Sequence, residues 1–294
     1  MKVNYSYVYL AFFLLLNIFN FVDRNLLIAF APQIKSEFNL TNVQWGLLTG
    51  VYFLFFYSVF GIFMGVLGDK FSRMKIAAAG VFLWSLMTAF TGVAKNFSHL
   101  IVARALIGVG ESALTPNAIS MLSDLFKQNQ RGTASAIYYL GIPLGVGFGM
   151  LIAAFFGPAY GWRSVFITLG LIGMGLGILT YFLLEPRRGQ LDISFDEDNK
   201  STSIRDIISM TKHALYNSRC LTFMIIGSIF LHIPLGAGNF EVLWAVNERG
   251  FTASSYNSLF GIFFILGGTV GAVLGGVLSD RISHYFKGGV MTFL

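Results

Sequence analysis

The chain has 294 residues, of which 55% are hydrophobic and 12% charged, with a formal net charge of +6 and a mean hydropathy of +0.69. A soluble protein carries roughly a quarter charged residues, so this composition excludes a soluble globular domain and reads as an all-α, polytopic membrane protein. The basic surplus clusters in alternate loops between apolar segments, which argues against nucleic acid as a partner, and the single cysteine, Cys220, excludes a disulfide framework or a cysteine metal cluster.

Eight apolar stretches reach the roughly 20 helical residues that a bilayer requires. The first, 6–31, is too long and too clearly followed by further spans to be a cleaved signal peptide, and it carries Asp23 and Arg24. Ionised groups at membrane depth are costly and mark a pathway or a paired site. Segment two, 43–67, leads into Gly65-Val-Leu-Gly68-Asp69-Lys70-Phe-Ser-Arg73-Met-Lys75, a turn whose glycines suit close backbone approach and whose Asp69 can pair with a base or cap a helix. Segment three covers 75–94. Segment four, 99–123, holds Arg104 and Glu111, seven residues apart and therefore within about 20 degrees of one helix face and roughly 10 Å apart along it. Segment five, 132–157, contains Tyr138 and Tyr139, either of which can contact cargo or pack. Segment six, 163–184, contains Gly173, Gly175 and Gly177, which serve helix packing because no strand precedes them to make a nucleotide loop.

At Glu185-Pro186-Arg187-Arg188 the composition turns polar as far as Arg219, with an acidic patch at Asp196, Glu197 and Asp198. Ile204, Ile207, Ile208, Thr211 and Leu215 recur at helical spacing, so an amphipathic helix lies here, on the membrane surface or against the bundle. Segment seven, 220–246, contains His232, a group that titrates near neutral pH or serves as a hydrogen-bonded core residue, with Asn239 and Glu241 near its end. Segment eight is 256–279, and a ninth begins near Gly288. The domains read as 1–186, a six-helix bundle; 187–219, a linker; and 220–294, part of a second bundle.

Most of the 20 basic residues lie at the amino terminus and in the loops after segments two, four, six and eight: Lys2, then Lys70, Arg73 and Lys75, then Lys127 and Arg131, then six from Arg187 to Arg219, then Arg281 and Lys287. The positive-inside rule places that side, and the amino terminus, in the cytoplasm. Asn39-Leu-Thr41 and Asn96-Phe-Ser98 match the glycosylation tripeptide in the opposite loops.

A shift of 211 positions places Trp45 on Tyr256, Leu48 on Leu259, Gly50 on Gly261, Phe53 on Phe264, Gly65 on Gly276 and Asp69 on Asp280. Segment eight thus repeats segment two, and Asp280-Arg281 repeats the Asp69 turn, the sign of a transporter built from related halves.

The Gly65, Asp69 and Arg73 turn, Arg104-x-x-x-Gly108-x-Gly110-Glu111 with Pro116, Gly141-x-Pro143-x-Gly145-x-Gly147-x-Gly149 and Gly161-Trp162-Arg163 together resemble the major facilitator superfamily. Phe19-Asn-Phe-Val-Asp23-Arg24, Leu83-Trp-Ser-Leu-Met-Thr-Ala89, Leu140-Gly-Ile-Pro-Leu-Gly145 and Glu185-Pro-Arg-Arg-Gly189 are similar to the bacterial branch of the Spinster lipid transporters. The resemblance implies a twelve-helix fold that is monomeric at full length, of which this chain would be a carboxy-terminally truncated portion. That portion comprises the complete first bundle, helices seven and eight, and the start of nine. It implies a bacterial inner membrane, alternating access, and a lysolipid-like or other amphipathic anion as cargo.

A buried carboxyl that changes partner between two conformations can bind and release a proton. Asp23 and Glu111 therefore read as the proton-coupling pair. Arg24 and Arg104, with Tyr138 and His232, read as the network that meets an anionic headgroup, a group suited to a guanidinium fork. A static network joining helices one and four, a sugar-acid symporter of the same superfamily, and a non-transporting truncated subunit stand as alternatives. No zinc motif, activated nucleophile or nucleotide loop is found, so the sequence predicts neither an enzyme nor a cofactor.

Overall fold

The structure, a computed structural model, describes residues 5–189, the isolated positions 191, 209 and 213, and 217–283; the side chains of 219, 231, 235, 273 and 276–283 lie outside the description. The acidic patch, nearly all of the linker helix expected over 204–215 and the start of a ninth span also lie outside the described residues, as do the side chains of Asp280 and Arg281.

Among the described residues, seven helices are long and apolar enough to cross a membrane. Helix one is Tyr5–Ala29, helix two Asn42–Lys70, helix three Arg73–Gly92, helix four Phe97–Leu125, helix seven Cys220–Arg249, and helix eight Ala253–Ser283. The remaining one, Gln128–Phe182, has 55 residues, nearly three times the crossing length. It is two spans joined at Gly161, whose φ of 75° and ψ of 158° are not helical. Only a residue without Cβ holds that backbone at ease. The contacts show the reversal: Gly141, Gly145, Gly149 and Gly157 meet Asn17, Ile18, Val22 and Phe30 in ascending order, whereas Gly170, Gly173 and Gly177 meet helix three in descending order. Residues 128–160 are therefore helix five and 162–182 helix six, and the eight expected segments are all present.

Polar caps and prolines set the local boundaries. Ser72 and Asn96 accept the backbone N–H groups of Lys75 and His99, and Thr41 forms a capping box with Gln44, so each helix start has its exposed donors satisfied. Asn96 of the second glycosylation tripeptide is thus the cap of helix four. Pro116 has no N–H for the Ser112 carbonyl, and helix four breaks between Glu111 and Leu114. Pro143 does the same to the carbonyl of Tyr139, and helix five breaks at Leu140.

Packing depends on close backbone approach. A Cβ on Gly145 would stand 2.5 Å from the Ile18 carbonyl, and one on Gly170 would stand 2.6 Å from the Ser85 carbonyl. Of the glycines read as packing positions in segment six, Gly173 and Gly177 face helix three, whereas Gly175 meets nothing within 4 Å. Two apolar cores result. One, with Phe30, Trp45, Trp162 and Phe166, lies toward the Thr41 end; the other, with Phe13, Met74, Trp84 and Tyr138, lies toward the basic turns.

Helices seven and eight join the first six at the Thr41 end. Trp45 Nε1 donates to the Asn239 carbonyl at 2.9 Å, Asn257 Nδ2 to the Ala29 carbonyl at 3.0 Å, and Ser254 Oγ to the Ala154 carbonyl at 2.8 Å. Gly147 and Gly261, in helices five and eight, pack backbone to backbone.

Candidate functional site

Between the two cores lies a layer of charge. Asp23, Arg104 and Glu111 are 3%, 5% and 1% exposed, so they sit where no solvent shields them. Arg24 Nε donates to Glu111 Oε2 at 2.5 Å, and the Glu111 side chain is wholly buried. Asp23 Oδ2 accepts from the hydroxyl of Thr88 on helix three. The break at Ser112 leaves Glu111 as the last residue of its helical run, with its side chain aimed across to helix one.

Arg104 is held differently. Among the described residues it makes no ion pair within 4 Å, and its buried Nε has no hydrogen-bond partner. Its guanidinium stands 4.7 Å from the ring centre of Phe53, which Arg24 also approaches, at 4.9 Å. Arg24 lies in addition 4.6 Å from the Tyr57 ring and 5.0 Å from the Phe21 ring. Aromatic faces attract desolvated cations, so the rings of helix two keep two arginines together that would otherwise repel. The four charges expected to stack do meet, with one asymmetry: Arg24 is paired and Arg104 is not.

The other expected residues fall elsewhere. Tyr138 is fully buried in the core, its hydroxyl 3.1 Å from that of Thr115 and its carbonyl accepting from Asn17; it is packing beside the charge layer. His232 is exposed and its Nδ1 lies 2.7 Å from the Ser228 carbonyl one turn earlier on its own helix. A ring tied to its own helix in this way does not reach the charge layer. Asn239 reaches helix two through its backbone, and the Glu241 carboxylate accepts from the Tyr256 hydroxyl.

The Asp69 turn also departs from the expected pairing. Asp69 is exposed and makes no ion pair within 4 Å among the described residues, while Ser72 supplies the helix cap. The Asp69 carbonyl is what engages, accepting from Arg188, which also donates to the carbonyls of Gly68 and Phe71 at 2.7 Å each. A cation there suits the negative end of helix two. Arg73 is the hub: it donates to Asp124 at 2.6 Å, Glu185 and Ser120 at 2.9 Å, and the Pro186 carbonyl at 3.1 Å. A Cβ on Gly65 would meet nothing within 4 Å, so the close approach belongs to Gly68, beside Asn117.

Sequence reasoning gave no role to Phe53, Tyr57, Thr88, Asp124 or Glu185. Phe53 is one of 31 phenylalanines, and nothing in its local pattern separates it from the rest. Thr88 carried a weak signal, a hydroxyl in an apolar run.

The family model for the Major Facilitator Superfamily matches residues 13–294. Protein spinster of Drosophila melanogaster is 28% identical over 280 residues, covering 90% of this chain and 44% of the relative. The sphingosine-1-phosphate transporter SPNS2 of Danio rerio is 28% identical over 277 residues, covering 89% of this chain and 54% of that protein. The crystal structure of a bacterial homolog to the human lysosomal transporter Spinster, in an inward-facing and unoccupied conformation, superposes with a TM-score of 0.82 at 25% identity, over 97% of this chain and 64% of that one. The chain spans about half the length of the curated relatives it matches.

Proposed function

Because this chain belongs to the major facilitator superfamily and is an integral, multi-pass membrane protein, we propose that it forms the binding half of a secondary transporter that moves a lysolipid-like or other amphipathic anion, coupled to protons, by alternating access. The observation that carries this reading is Arg104. A buried guanidinium without a carboxylate partner is costly unless something is to pair with it, and its planar fork suits a phosphate or carboxylate head. The adjoining rings of Phe21, Phe53 and Tyr57 offer an apolar wall to the rest of an amphipath. A sphingosine-1-phosphate transporter among the relatives supports that cargo class.

Proton coupling follows from charge balance. With Asp23 and Glu111 both ionised, the layer is neutral; protonation of either leaves a net positive site that attracts the anion, and return of the carboxylate expels it. The positive-inside reading puts the basic end in the cytoplasm. The hydrogen bonds of Trp45, Asn257 and Ser254 then close the outer side, which suits an inward-facing state such as that of the bacterial structure it resembles. Arg73, with Asp69, Gly65 and the corresponding Asp280 and Arg281, would brace the inner side in the opposite state.

Uptake of radiolabelled sphingosine 1-phosphate into proteoliposomes of the full-length protein tests the reading. Arg104→Gln is expected to abolish uptake while the protein remains monodisperse. Uptake that keeps its full dependence on a pH gradient in both Asp23→Asn and Glu111→Gln would refute the proton assignment, and full uptake by folded Arg104→Gln would refute the anion site.

A further inference from the structure

The charge layer holds several polar atoms that are buried and unpartnered at once: Asn20 Nδ2, Trp84 Nε1 and Arg104 Nε as donors, Asp23 Oδ1 and Glu111 Oε1 as acceptors. Over nine-tenths of buried polar groups in folded proteins have a partner. Five such atoms on helices one, three and four, three donors and two acceptors, are therefore out of the ordinary. A network with only one arrangement would join them. A network with two arrangements leaves in each the partners that the other uses.

We infer that Asn20 is a positioning residue, the reserve hydrogen-bond donor that takes the Glu111 carboxylate when Arg24 leaves it for an anion. Asn20 is 3% exposed and one helical turn before Arg24, on the face of helix one that meets Glu111, and its Nδ2 and Glu111 Oε1 are both buried without a hydrogen-bond partner. Glu111 engages Arg24 through Oε2 alone, so Oε1 is free to receive a second donor. Removing Arg24 from a wholly buried carboxylate would strand a charge at membrane depth. An amide already in place shortens that step to a side-chain adjustment within one turn. Donors to an ionised group make the stronger hydrogen bonds, so the exchange is favoured by an amide more than by packing there. This inference rests on the reading that Arg24 changes partner during transport.

Two measurements separate the inference from that reading. The first needs no cargo: melting midpoints of the full-length protein in detergent at pH 8 for Asn20→Leu, Arg24→Gln and the double variant. Asn20→Leu alone is expected to leave the midpoint nearly unchanged, because Asn20 Nδ2 has no hydrogen-bond partner in the resting state. In the Arg24→Gln background it is expected to lower the midpoint by about 2 °C or more. Additive, near-zero effects in both backgrounds would overturn the inference, the carboxylate then being served by water. Should Arg24→Gln not fold, Arg24→Met, which likewise takes the cation from Glu111 and keeps the apolar stem, replaces it with the same expected interaction.

The second measurement is the affinity for sphingosine 1-phosphate. Asn20→Leu is expected to weaken binding about tenfold, and to have no effect once Glu111→Gln has removed the charge to be held. An equal loss in both backgrounds marks Asn20 as a packing residue and overturns the inference. Failure of the parent protein to bind this probe overturns the cargo reading, and the melting comparison still decides the role of Asn20.

Discussion

Arg73→Ala is the substitution with the clearest structural magnitude. The Arg73 side chain is 5% exposed and binds Asp124, itself 10% exposed, and Glu185, 22% exposed. Removing the cation takes from Asp124 its buried ion-pair partner, and breaking a buried pair by deleting one partner costs about 3–5 kcal/mol. The half-shielded Glu185 adds no more than ~1 kcal/mol. At about 2–4 °C per kcal/mol, the midpoint should fall by roughly 6–24 °C. Asp124→Asn should cost less, because Arg73 keeps Glu185, Ser120 and Pro186, although the Gly189 N–H loses an ionised acceptor. Glu185→Gln should cost least. Differential scanning fluorimetry of the three variants in one detergent reads the order directly. A loss below about 1 kcal/mol for Arg73→Ala, or a larger effect for Glu185→Gln than for Asp124→Asn, would refute the assignment of Arg73 as the hub.

Other consequences are as direct. Gly145→Ala and Gly170→Ala should lose the monodisperse peak in size-exclusion chromatography, because their methyl groups meet the Ile18 and Ser85 carbonyls, whereas Gly175→Ala should be neutral or stabilising by up to ~1 kcal/mol; equal damage at Gly175 would contradict the packing. At the opposite end, Arg163 and then Trp162 donate to Glu37 and hold its carboxyl below the ordinary range, against a smaller upward push from burial. A lowered folded value means the stabilisation is complete above the unfolded value and drains as pH falls through the folded one. The midpoint difference between the parent and Glu37→Gln should therefore hold from neutral pH to about pH 5 and shrink below about pH 4; a difference that persists to pH 3 would contradict it. Glu185 behaves in the same sense: burial pushes it up, but the donors Ser72 and Arg73 outweigh that and hold it low. Its contribution is thus present at neutral pH and lost in acid, and Arg73→Ala should move that loss to higher pH, as read by the pH at which its midpoint begins to fall.

The spans were legible because their signal is additive along one helix. Apolar length, proline and glycine each act on their own segment, so the eight stretches follow from neighbours in sequence, whereas the cap read at Asp69 falls instead to Ser72. The meeting of Asp23, Arg24, Arg104 and Glu111 was legible for a related reason. Helical spacing and alternating chain direction fix depth to within about a turn, and four charges at one depth in one bundle have few places to go. Tyr138 shows the limit: depth alone did not distinguish a residue lining the layer from one filling the core beneath it. His232 shows another, since a polar side chain in a span can satisfy itself on its own backbone.

Partner choice among the four charges was not legible, because it depends on helix rotation and on side chains from a third helix. Arg24 and Arg104 are equivalent as sequence, each a basic residue near a carboxylate. Their difference comes from Pro116, which ends the helical run at Glu111, and from Phe53, whose ring both guanidinium groups approach. The broken turn aims Glu111 toward helix one, so Arg24 receives the carboxylate, and Arg104 has, among the described residues, the Phe53 ring and no ion pair within 4 Å. The Asp69 turn follows the same logic in reverse: its carboxylate was the visible feature, but the carbonyls at the end of helix two are what Arg188 engages, and a backbone acceptor has no sequence signature. A motif read from side chains therefore located the turn correctly and misassigned the atom that makes the contact, whereas the unpaired Arg104 exists only through the rotation of two helices against a third.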